Sequence, residues 1–268
     1  MEDKPYPNFL QGLLLTISLV IILVASYALE SIPIRLHINV PGYYVPLAYA
    51  FSALLFIPII FYALKKSKIN ILENIRFPNL IIFSMLVLLA VSLQVLTIPL
   101  INPIKFIHSF FSGEIELLGF KAFKPDTNFI ITFIHRVILA PVLEEVFFRG
   151  ILLYQFLKRF SPQKAIVLSA FLFAFGHLRI TDVGALFADG LLFGYVFYKT
   201  NSIAASILLH SFGNLINLVT KTYVTSIDDS SLGRFAFIVS GSILMIYLFV
   251  KYIDKVQNKQ AVSNINDE

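Results

Sequence analysis

Three short stretches place groups that can do chemistry inside oily sequence: APVLEEVFFRG with Glu144, Glu145 and Arg149, FLFAFGHL with Phe173 and His177, and LLHSFGN with His210 and Asn214. Each charge at the centre of a membrane helix is unfavourable by roughly 2.5 to 3.5 kcal/mol, so the first stretch alone carries a penalty on the order of 5 to 10 kcal/mol. Glu145 and Arg149 stand at i and i+4 and can pair on one helix face, which offsets part of it. Glu144 points about 100 degrees away and is left for another partner. A carboxylate and an imidazole held together can polarise and deprotonate a water, while a second imidazole and a carboxamide can donate to a developing oxyanion. That set suits amide hydrolysis.

A packing role stands beside this reading. A buried ion pair can simply fix helix packing, and a membrane histidine or asparagine is often an interhelical hydrogen-bond donor. Within hydrolysis, the sequence has no His-Glu-x-x-His pair, no Gly-x-Ser-x-Gly elbow and no cysteine. A zinc site of His177, His210 and a glutamate stays open beside a metal-free water, because two histidines and a carboxylate form a catalytic zinc ligand set.

The elements that must position these groups are apolar helices. Of the 268 residues, 57% are hydrophobic and 14% charged, which excludes an ordinary soluble domain. Eight runs approach the length of a bilayer span: Phe9 to Leu29, Tyr43 to Leu64, Leu80 to Ile101, Asn128 to Leu157, Ala165 to Leu178, Val183 to Tyr198, Ile203 to Val219 and Phe235 to Ile253. The expected fold class is therefore all-α, a polytopic membrane protein of about eight transmembrane helices with a buried polar site between the fourth, fifth and seventh. Residues 1–268 read as a single integral membrane domain with a catalytic core of approximately 128–220.

The first run is too long for a signal-peptide core and has no cleavage site after it, so it is expected to stay as a helix. The connection Asn102 to Thr127 mixes phenylalanines with charges and reads equally as an interfacial helix or a plain loop. The formal charge of +5 is spread over short loops, which excludes a nucleic-acid partner. Lys65, Lys66, Lys68 and Arg76, then Lys158, Arg159 and Lys164, then Lys199, then Lys251, Lys255 and Lys259 follow alternate runs. By the positive-inside bias those connections and both termini are cytoplasmic, and the chain sits multi-pass in the cell membrane. At 1.5 Å per residue, Glu144, His177 and Asn214 each lie about 20 Å from the cytoplasmic ends of their helices, with His210 a turn nearer.

In this order and spacing, Glu144-Glu145-x-x-x-Arg149, Phe173-x-x-x-His177 and His210-x-x-x-Asn214 resemble the CPBP family, the type II CAAX prenyl endopeptidases and bacteriocin-processing proteins also called ABI. The resemblance spans Glu144 to Asn214. It implies an intramembrane glutamate protease in which Glu144 and His177 activate the catalytic water, His210 and Asn214 stabilise the oxyanion, and Glu145 and Arg149 support the site, with Phe173 opening its motif. The expected chemistry uses a metal-free water and no resident cofactor, zinc being the alternative. The implied partner is a peptide or protein substrate, prenylated in CAAX-type members, within the lipid bilayer; the sequence leaves oligomeric state open. A non-proteolytic scaffold or bacteriocin-immunity protein of the same fold, and a transporter, are the competing classes, the last disfavoured by the lack of internal repeats. Asp189 reads as a polar contact beside the site, Asp182 as interfacial, His135 and Arg136 as helix-end groups, and His37 and His108 as solvent or headgroup residues.

Overall fold

The computed structural model describes residues 5–41, 43–97, 100, 107, 129–223 and 232–266. Among the described residues all regular structure is helical. Hydrocarbon offers the backbone no partner, so each crossing segment must satisfy its own N–H and C=O groups. The helices are α1 (Phe9–Arg35), α2 (Tyr44–Leu54), α3 (Ile57–Ser67), α4 (Leu80–Thr97), α5 (residues 129–157), α6 (Pro162–Gly176), α7 (Val183–Thr200), α8 (Ile203–Tyr223) and α9 (Leu232–Asn266). The connection 102–127, for which sequence left helix and loop equal, lies outside the described residues apart from Ile107.

Among the described residues, six stretches are long and apolar enough to cross a membrane: Phe9–Pro33, Ala50–Ser67, Leu80–Thr97, Ile180–Thr200, Ile203–Thr220 and Ala236–Val256. The chain is an integral membrane protein. The other two of the eight expected runs differ for physical reasons. Helix α6 has 15 residues, about 22 Å, short of the roughly 30 Å hydrocarbon layer. Helix α5 carries the charges, and its second half is packed inside the bundle, where Phe147, Ile151, Leu152, Leu153 and Phe156 are almost wholly buried.

The expected second span, Tyr43 to Leu64, is two helices. Leu55 and Phe56 bond back only three residues, to Ser52 and Ala53, and the next helix starts with Pro58 in its first turn. Proline has no N–H for the carbonyl of Leu54, and its ring crowds that carbonyl, so the α-helix cannot run through.

Helix α5 is also not uniform. It has two wide π segments, Ile134–Leu139 and Val146–Leu153. The first ends just before Pro141, and the Ala140 N–H reaches back five residues to the His135 carbonyl. A widened turn is one way to seat a proline ring inside a continuing helix. Such turns hold more residues per unit length, so depths counted along α5 at 1.5 Å per residue are too large.

Around α5 the helices pack with large apolar side chains outward, as with Ile21 on α1, Leu88 on α4 and Leu244 on α9. Helices α6 and α7 approach closely, because a Cβ at Gly190 would sit 2.9 Å from the Ala170 Cα. One end of the bundle is basic and tied together. There Arg159 donates to the Pro5 carbonyl, Ser202 to that of Arg76, Lys199 pairs with Asp254 at 2.5 Å, and Lys66 lies over the Tyr6 ring at 4.5 Å.

Candidate active site

Glu144 and Glu145 are consecutive on the α-helical segment Ala140–Glu145 between the two π turns, so their side chains leave the helix about 100 degrees apart. They meet different surroundings.

Glu145 is fully buried and saturated. Its Oε1 accepts from Arg149 Nη1 at 2.8 Å and from His210 Nδ1 at 2.9 Å, and its Oε2 accepts from the Ser206 hydroxyl at 2.5 Å. Arg149, also fully buried, donates its other Nη to the Gly190 carbonyl at 3.0 Å. Its guanidinium lies 4.5 Å from the centre of the Phe173 ring and 5.3 Å from that of Phe193. A charge pair taken out of water is tolerable only with such additional hydrogen bonds, and here three helices supply them.

Glu144 is the opposite case. Its Oε2 is buried and has no hydrogen-bond partner in the protein, yet it lies 3.5 Å from His177 Nε2 and 4.0 Å from His210 Nε2. Both rings are oriented from behind. His177 is the residue that ends α6, and its Nδ1 is 2.8 Å from the Phe173 carbonyl. A carbonyl only accepts, so Nδ1 carries the proton and the Nε2 lone pair of the neutral ring faces Glu144. In the same way the Glu145 carboxylate accepts a hydrogen bond from His210 Nδ1. The His210 ring stacks on Phe193, with centres 4.8 Å apart. The arrangement suits a small hydroxylic group that donates to Glu144 and His177 together.

Asn214, one turn beyond His210, donates Nδ2 to the Arg136 carbonyl at 2.8 Å. In the π register that carbonyl would take the N–H of residue 141, which is proline and has none. The amide thus completes a helix that Pro141 interrupts, and it has a second N–H to offer. Phe173 is the wall common to the cluster, with ring centres 4.6 Å from His177 and 5.8 Å from His210.

Asp189 on α7 is near, with a buried Oδ1 that has no hydrogen-bond partner. Asp182 stands apart, in an ion pair with Arg179 in the turn before α7. His135 is half-buried on α5, Arg136 is exposed, and His37 is exposed in the turn after α1; His108 lies outside the described residues. Three contributors went unread in the sequence. Ser206 lies one turn before His210 on the same face of α8, a spacing that could have shown it, whereas Phe193 and the Gly190 carbonyl carry no signal of chemistry. Among the described residues, no group of three or more His, Cys, Asp or Glu side chains is arranged to hold a metal ion.

Apolar helices packed around a buried carboxylate and histidine cluster define the class as an all-helical polytopic membrane protein. Residues 126–216, roughly a third of the chain, match the family described as type II CAAX prenyl endopeptidase, Rce1-like. The match covers all three motifs and supports the resemblance to the CPBP family. The family suggests CAAX-type intramembrane protease activity. No curated protein and no solved structure matches the chain.

Proposed function

We propose that the protein is an intramembrane endopeptidase in which Glu144 and His177 activate a water for attack on a peptide carbonyl. The observation that carries this reading is the unpartnered Glu144 Oε2, buried between two imidazole nitrogens. The water oxygen bonds to the carbonyl carbon as Glu144, helped by His177, takes its proton. The tetrahedral oxyanion is then stabilised by donation from His210 and Asn214. Collapse breaks the carbon–nitrogen bond, and the proton held on Glu144 passes to the departing amine.

For His210 to donate from Nε2 as well as Nδ1 the ring must carry both protons, and Glu145 is the counter-charge for that form. Arg149 balances Glu145 in turn, and Phe173 shapes the wall. The reading includes no resident metal. The substrate is a peptide or protein, taken in CAAX-type C-terminal processing or in peptide processing of the bacteriocin-related kind. The chain acts as one integral domain of the cell membrane with its core at approximately 128–220 and, from the Lys and Arg bias, its termini in the cytoplasm.

The test is cleavage of peptides, prenylated and plain, by purified protein and its Glu144→Gln variant. Loss of at least about a hundredfold in kcat is expected for a general base. A variant as fast as the parent would remove Glu144 from the chemistry and with it this function.

A further inference from the structure

Asp189 takes no part in the mechanism above, yet it stands near the middle of the membrane-crossing stretch Ile180–Thr200 and is the only charged residue between Val183 and Tyr198. A carboxylate at that depth is disfavoured unless it faces a partner or a polar cavity, and such residues mark places where a ligand is handled. Its direction follows from the packing of α7 against α8. The two helices are joined by residues 201 and 202 and run antiparallel. Ser206 of α8 donates to the Phe193 carbonyl of α7 at 3.2 Å, so one turn back on α7, at Asp189, corresponds to one turn forward on α8, at His210. Phe193 follows Asp189 by four residues on the same helix face, and its ring stacks on His210 at 4.8 Å. Asp189 therefore faces the cluster, within electrostatic reach of both His210 and Arg149. Its Oδ1 is buried and has no hydrogen-bond partner.

Three carboxylates thus share this region, Glu144, Glu145 and Asp189, and the permanent cation among them is Arg149. That cation is already committed. Its Nη1 donates to Glu145 at 2.8 Å and its Nη2 to the Gly190 carbonyl at 3.0 Å, while Arg149 Nε and Asp189 Oδ1 each have no partner, so no bond joins them through those atoms. Arg136, the next cation back along α5, is exposed. His177 presents a neutral ring, with Nδ1 directed at the Phe173 carbonyl. Even with a proton on both nitrogens of His210 one negative charge is left over, and with His210 neutral two are. An uncompensated charge matters far more at low dielectric than in water. A backbone N–H would satisfy the Asp189 oxygen without touching that imbalance. A basic side chain does both.

We infer that Asp189 is a specificity-determining residue that receives a basic side chain, lysine or arginine, of the peptide held at the Glu144 cluster. This rests on the proposed function for the kind of ligand, a peptide, and on the charge count for the cation it carries. Charge complementarity of this sort selects among partners more than it raises affinity for all of them.

The test uses peptides scanned position by position with lysine or with norleucine, which has the same side-chain carbons without the ammonium. Binding is read by fluorescence anisotropy on the whole chain carrying His177→Ala, which should not cleave and leaves the charge count unchanged; cleavage is read on the parent. At one or more positions beside the scissile bond the lysine peptide should bind about ten- to a hundredfold more tightly than its norleucine partner, the range for a hydrogen bond to a charged group. Asp189→Asn should bring the pair to parity, and Asp189→Glu, which keeps the charge, should keep the preference. If Asp189→Asn fails to accumulate, Asp189→Ser is read in its place. Norleucine bound as well as lysine at every position, or a lysine preference that survives Asp189→Asn, overturns the inference; a purely structural Asp189 gives the second result, since its loss weakens both peptides alike. Cleavage by the parent with no lysine preference sinks this inference and leaves the proposed function standing. Lysine-selective binding that depends on Asp189, without cleavage by the parent, does the reverse.

Discussion

The side-chain amide of Asn214 donates to the backbone carbonyl of Arg136 at 2.8 Å, across from α8 to the π turn of α5. The carbonyl is free because Pro141 has no N–H to give it. Replacing Asn214 by alanine should lower stability in detergent by about 0.5–1.5 kcal/mol, the usual net contribution of a hydrogen bond. With Pro141→Ala in the background the loss should shrink, since residue 141 then has a donor. Denaturant unfolding of the four proteins in this cycle checks the coupling, and strict additivity would mean that the two sites do not communicate.

Arg149 and Glu145 are both wholly buried at 2.8 Å. Arg149→Met should destabilise by about 3–5 kcal/mol, because it leaves a buried carboxylate without its counter-charge. Adding Glu145→Gln should recover part of that. Thermal unfolding of the single and double variants is the measurement, and an unchanged midpoint for Arg149→Met would show that His210 and Ser206 hold Glu145 unaided.

Gly190→Ala should be destabilising by about 1–3 kcal/mol through overpacking. Its new Cβ would lie 2.9 Å from the Ala170 Cα and 3.0 Å from the Ala170 Cβ, and backbone cannot swing aside as a side-chain tip can. The same shift would move the carbonyl that Arg149 uses. Ala170→Gly in the same chain should restore stability only in part, since the Ala170 backbone is also in the way.

Chelation should leave peptide cleavage unchanged under the metal-free reading. Elemental analysis of active, chelator-washed protein provides the check. Stoichiometric zinc lost together with activity would recast Glu144, His177 and His210 as ligands.

The motifs were legible because helical spacing is carried by the chain itself: i and i+4 put Glu145 beside Arg149, and Phe173 beside His177, whatever the rest of the protein does. The break at Leu55 and Phe56 was also written there, as Pro58, but an unbroken apolar run concealed it. Phe193 was not legible. It is one of 27 phenylalanines, and only the packing of α7 against α8 singles it out as the ring under His210.

By itself, then, the sequence determined that the chain is helical and membrane-embedded, and which polar residues had to find one another, since hydrocarbon penalises every isolated charge. Tertiary structure alone decided how two adjacent glutamates part company. Glu145 turns into a pocket with three donors on α5 and α8, and Glu144 turns toward two imidazole nitrogens with nothing to accept. Which neighbours fill those two directions depends on the crossing of separate helices and on the wide turns in α5, and no spacing along one helix contains that information.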